Sequence, residues 1–102
     1  MTITRRNLEL PMDRIEGLCR RYRVRELAIF GSALRRDFKG TSDVDLLVEF
    51  EPDAEVGFLA LAKMQRELSA ILGREVDLVP KGGLKPRIRE DVLSDAEVLY
   101  AA

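Results

Sequence analysis

The chain contains no histidine, no tryptophan and one cysteine, Cys19. Without histidine, the usual zinc sites, Ser-His triads and Cys-His dyads are excluded. A single cysteine forms no intramolecular disulfide, which fits a reduced, cytoplasmic setting. No apolar run approaches the ~18 residues of a membrane span, and the opening MTITRRNLELPMDR carries acidic residues where a signal peptide needs an apolar stretch. An excess of positive charge is missing too. The net charge is −1, so direct nucleic-acid binding is not expected of this chain.

What is present describes one soluble domain spanning residues 1–102, with 46% hydrophobic and 34% charged residues. The charge is distributed unevenly. Residues 1–42 carry 10 basic and 5 acidic side chains, residues 43–57 carry 6 acidic and none basic, and residues 58–102 carry 7 of each. Clustered carboxylates beside clustered arginines suit a ligand that presents both signs, a divalent cation together with a polyphosphate. The alternative is a set of solvated charged faces.

Periodicity gives a helix over about residues 11–23, with Pro11 in its first turn and Ile15, Leu18, Cys19 and Tyr22 on one apolar stripe. Cys19 on that stripe reads as a buried thiol. Residues 26–30 read as a strand stopped by Gly31, and 44–50, Val-Asp-Leu-Leu-Val-Glu-Phe, as the strongest strand. A helix over 57–72 with Gly73 as its C-terminal cap, a strand over 76–79 ended by Pro80, and a mobile Lys81-Gly82-Gly83 loop follow. Pro86 can open a short helix, and 97–100 can return as a last strand. The order α-β-(short α)-β-α-β-α-β makes the fold class α/β: a small β-sheet with helices on it.

Three features carry chemistry. Asp43 and Asp45 flank Val44 at the start of the strongest strand. Alternation points them to one face with Cα atoms ~6.6 Å apart, where both carboxylates can meet on a divalent cation; the plainer reading is a solvated strand start. Asp77 sits among Val76, Leu78 and Val79. A carboxylate inside a buried strand needs a cation or several donors, and if this strand lies beside 44–50, Asp77 joins the patch of Asp45. The alternative is a salt bridge to Arg or Lys. Gly31-Ser32 directly follows the first strand; Gly31 permits a tight turn close to a ligand, and Ser32 can cap the next helix while facing an anion.

Phe30-Gly31-Ser32, followed eleven residues later by Asp43-x-Asp45-Leu46-Leu47-Val48, then a helix and Glu75-Val76-Asp77-Leu78-Val79, resembles the minimal nucleotidyltransferase family of the polymerase β superfamily. The resemblance covers residues 25–100. It implies a small mixed sheet flanked by helices, the polymerase β-like nucleotidyltransferase core. It implies that Gly31 and Ser32 hold the β/γ-phosphates of ATP, that Asp43 and Asp45 bind two Mg²⁺ ions, and that Asp77 ligates the catalytic ion and helps deprotonate the attacking hydroxyl. Where the family writes G-S-x-A-R-G, Arg35 matches and can add positive charge near the leaving phosphates, the alternative being a solvated or salt-bridged side chain on a surface helix, while Arg36 stands in place of a glycine.

Relatives in that family are often paired with a HEPN-domain toxin and act as antitoxins by transferring AMP to a toxin tyrosine. The resemblance therefore implies an Mg²⁺-dependent adenylyltransferase antitoxin acting on such a partner. A binding module that neutralises its partner by occlusion, without turnover, is the alternative. A small-molecule nucleotidyltransferase is disfavoured, because such enzymes usually carry a second domain to build the acceptor pocket.

Overall fold

The computed structural model describes residues 1–5, 8–30, 44–83 and 96–102. Gly31, Ser32, Arg35, Asp43 and the short helix expected from Pro86 lie outside the described residues.

The first element differs from expectation. Thr2–Arg5 (β1) and Leu8–Pro11 (β2) form an antiparallel hairpin ahead of the helix, with Thr2 opposite Pro11 and Arg5 opposite Leu8. Alternation explains how so short a strand is anchored: Leu8 and Leu10 are buried in the main core while Glu9 between them is exposed.

Pro11 is the N-cap of the helix Met12–Arg21 (α1), shorter at both ends than the periodicity suggested. Met12, Ile15, Leu18 and Cys19 are its buried stripe. The chain turns sharply after it, because Arg23 takes a left-handed conformation (φ 58°) that ends the helical bonding. The next strand, Val24–Phe30 (β3), therefore starts two residues before the apolar run that announced it.

Val44–Phe50 (β4) matches the expected strand, and β3 pairs with it antiparallel. Residues 58–72 form a helix, Phe58–Leu72 (α2), capped by Gly73 at φ 67°. Glycine serves here because an L side chain rarely adopts that left-handed conformation. Val76–Pro80 (β5) then runs parallel to β4, an arrangement that requires a crossover, and α2 provides it. Lys81–Gly83, expected as a mobile loop, forms a 3-10 turn, and Glu97–Ala101 (β6) closes the sheet beside β3. The strand order is β5-β4-β3-β6, one mixed sheet with a parallel pair at one edge.

The main core lies on one face of this sheet. Val24, Leu27 and Ile29 of β3, Val44, Leu46 and Val48 of β4, and Val76 and Leu78 of β5 pack there with Ile15, Leu18 and Cys19 of α1, Met64 and Leu68 of α2, and the hairpin leucines. Across the sheet, Ala28 and Leu47 are also buried, with Phe30, Val79 and Ala96 packed against them. The central strand β4 is thus apolar on both sides at its middle, which explains its continuous Leu-Leu-Val run. The two helices are joined at their surface by Glu67, which accepts a hydrogen bond from the Tyr22 hydroxyl and an ion pair from Arg21 at 3.2 Å.

Two sets of stability measurements test this packing. Leu68→Ala, at a fully buried position, is expected to cost about 2–5 kcal/mol in denaturant unfolding. Gly73→Ala, at the left-handed cap, should cost about 1–2 kcal/mol. Burial, with a smaller contribution from the charge of Glu16, pushes the Cys19 thiol from an ordinary value of 9.0 up to about 12. The folded chain keeps a proton that the unfolded chain releases, so this contribution to stability is complete below pH 9 and is lost as pH rises towards 12. The stability advantage of wild type over Cys19→Ala should accordingly shrink across that interval.

Candidate active site

Asp45 and Asp77 are register partners on neighbouring parallel strands, with Val44 opposite Val76 and Leu46 opposite Leu78. Because their neighbours on both sides point into the main core, both carboxylates project from the other face of the sheet. Adjacent strands lie ~4.8 Å apart, so two anionic side chains are placed side by side at one end of the sheet.

Asp45 is half-buried and Asp77 is exposed. The exposure corrects the expectation of a carboxylate inside a buried strand. β5 is an edge strand, and its burial alternates, Val76 and Leu78 inward and Asp77 outward. Solvent reaches Asp77, so its charge needs no compensating partner. Among the described residues no salt bridge reaches it.

The same face offers an internal comparison. Glu26 and Glu49 are also register partners, on β3 and β4. Lys81 lies between them, with Nζ 3.9 Å from the Glu26 carboxylate and 3.8 Å from that of Glu49. That pair of facing carboxylates is bridged by a lysine of the protein; Asp45 and Asp77 set two carboxylates, the ligand type of a hard divalent cation, on adjacent backbones in register.

β3 leads the chain to this place. Phe30 is paired with Asp45, so the chain leaves β3 beside Asp45 immediately before Gly31. It returns at Val44, whose amide donates to the Glu75 carbonyl at 2.9 Å. Of the seven positions singled out for catalysis or phosphate binding in the sequence, or for departing from the family pattern, the structure brings together Asp45 and Asp77; Gly31, Ser32, Arg35, Arg36 and Asp43 lie outside the described residues. No group of three potential metal-ligating side chains occurs among the described residues.

Sequence reading did not single out what holds β5 from its outer side. Ser69 Oγ accepts a hydrogen bond from the Val76 amide at 3.1 Å, and Gln65 Oε1 accepts one from the Leu78 amide at 2.9 Å. The available signal was two polar residues at i and i+4 on α2, next to the buried Met64 and Leu68. Nothing in the sequence alone said which strand edge they would meet.

Residues 13–99 match the nucleotidyltransferase domain family. The protein adenylyltransferase MntA of Thermococcus cleftensis is 44% identical over 80 residues, covering 78% of this chain and 77% of that protein. A solved structure assigned to the minimal nucleotidyltransferases is 37% identical, with a TM-score of 0.70 over 84% of this chain and 86% of the other. Two solved complexes share the fold at lower identity. One, a toxin–antitoxin with AMP-PNP, gives a TM-score of 0.74 at 21% identity over 91% of this chain and 75% of that one. The other, a tri-AMPylated HEPN toxin of Shewanella oneidensis in complex with an MNT antitoxin, gives 0.65 at 19% identity over 89% and 70%. The mixed sheet, the match across residues 13–99 and the adenylyltransferase relative agree: this chain belongs to the nucleotidyltransferase domain family, as an adenylyltransferase of the minimal type.

Proposed function

We propose that this chain transfers AMP from ATP to a hydroxyl group, a tyrosine, of a partner HEPN toxin and thereby acts as its antitoxin. The observation that carries the reading is the in-register pairing of Asp45 with Asp77 on one exposed end of the sheet. The MntA relative and the complex containing a tri-AMPylated HEPN toxin support the choice of reaction and partner; the AMP-PNP complex supports ATP as the donor.

Asp43, Asp45 and Asp77 would hold two Mg²⁺ ions, a use consistent with hard carboxylate oxygens facing each other across adjacent strands. When bound, the ions supply positive charge to the triphosphate and make the acceptor hydroxyl more acidic. Gly31 and Ser32 bind the β- and γ-phosphates, and Arg35 adds charge beside the leaving group. Asp77, open to solvent on the edge strand, takes the proton of the acceptor hydroxyl. The acceptor oxygen forms its bond to the α-phosphorus as the bond to pyrophosphate breaks, in line. An exposed edge position also leaves room for an acceptor carried by a separate macromolecule.

AMP transfer is tested by incubating the protein with labelled ATP, Mg²⁺ and its HEPN partner. Label is expected on a partner tyrosine, lost with EDTA and with Asp45→Asn. Asp77→Asn should lower the rate by about 10²–10⁴-fold, the contribution of a general base. Neutralisation of the toxin by the Asp45→Asn protein, with no label transferred by wild type, would instead establish the occluding module. The same substitution separates activity from stability. Because Asp77 is exposed on an edge strand, Asp77→Asn should leave stability within about 0.5 kcal/mol of wild type while activity falls.

A further inference from the structure

The Asp77 carboxylate lies on an edge strand, β5, whose one backbone-paired neighbour among the described residues is β4. Alternate amides of a strand point to opposite edges. On the outer edge of β5 the amides of Val76 and Leu78 are not left to solvent: Ser69 and Gln65, one turn apart on α2, accept them at 3.1 and 2.9 Å. Ser69 is itself fixed, since its hydroxyl donates to the Gln65 carbonyl at 2.9 Å. The two amides bracket Asp77. The strand segment carrying that carboxylate is thus held on one edge by the parallel ladder and on the other by two side chains of the crossover helix.

Neither side chain shares the carboxylates' environment. Gln65 and Ser69 flank Met64 and Leu68, which belong to the main core, whereas Asp77 projects from the opposite face of the sheet. They do not replace the hydrophobic anchoring of Val76 and Leu78; they fix the strand's height and twist beyond what those apolar contacts specify. Apolar packing tolerates small slides, whereas a hydrogen bond weakens steeply with distance and angle.

We propose that Gln65 and Ser69 are positioning residues that hold the β5 backbone so that the Asp77 carboxylate stays level with Asp45. This rests on the reading of Asp45 and Asp77 as the metal-binding and catalytic pair. A displacement of ~1 Å at such a site is enough to cost ~10²-fold in rate.

The test uses the full chain with its HEPN partner, and Mn²⁺ alone as a binding probe. Gln65→Leu and Ser69→Ala remove the acceptors; Gln65→Glu and Ser69→Thr retain an oxygen in each place. Ile15→Val, a mild change on the core face of α1, controls for lost stability. Gln65→Leu is expected to speed amide exchange at Leu78, and to weaken Mn²⁺ binding and lower kcat by about 10–100-fold, with KM for ATP little changed. Gln65→Glu should restore both, and Ile15→Val should leave both at wild-type values. If Gln65→Leu does not fold, Ser69→Ala, the smaller deletion, gives the same readings at Val76. Variants that exchange faster at these amides yet keep wild-type kcat and Mn²⁺ affinity would overturn the proposal while leaving the site intact. A wild-type protein that neither binds Mn²⁺ nor transfers AMP would overturn the functional reading, and this inference with it.

Discussion

Two parallel strands cannot be joined by a tight turn, so the chain must travel back along the sheet before the second strand begins. α2 makes that return between β4 and β5 and brings the chain back to the end where β4 started. Everything at the candidate site depends on the register this crossover sets. Val44 meets Val76 and Leu46 meets Leu78 on the core side, and the residues between them, Asp45 and Asp77, meet on the other. A one-residue slip would turn Val76 and Leu78 out of the core and Asp77 into it. The hydrophobic pattern that stabilises the pair is therefore the same pattern that aligns the carboxylates.

That alignment sets acidic residues in register at two places on one side of the sheet: Glu26 with Glu49, and Asp45 with Asp77. The first is neutralised within the fold by Lys81, held in the 3-10 turn that follows β5. The second lies at the opposite end of β5, where the chain leaves β3 and re-enters at β4. Two helices and a hairpin close one face of the sheet over a core that includes Leu10, Cys19, Met64 and Leu68.

The helices are linked to each other and to the sheet edge by side-chain contacts. α1 is tied to α2 through Glu67, which both Tyr22 and Arg21 reach, and α2 in turn holds the edge of β5 through Gln65 and Ser69. Covering an edge strand with helix side chains also removes a row of open amides that would otherwise invite pairing with another chain.

Much of this was legible in residues 44–80. The strand 44–50, the helix 58–72 and its Gly73 cap appear where periodicity and cap chemistry place them, because each is a local preference reinforced by burial. The hairpin over residues 2–11 was not, since Leu8-Glu9-Leu10 offers only three residues of alternation and gains its burial from the core. The burial of Asp77 was misjudged for a related reason. Its apolar neighbours describe a strand, but whether that strand is central or at an edge depends on the order of the sheet. The sequence by itself determined the residue types and their spacing, hence which side chains share a face of their own strand. The tertiary structure alone decided which strands are neighbours and in what register, so that Asp45 faces Asp77 and two polar residues of α2 reach β5. Pairing between distant segments is selected by the total burial of the core, a sum over the whole chain that no local pattern contains.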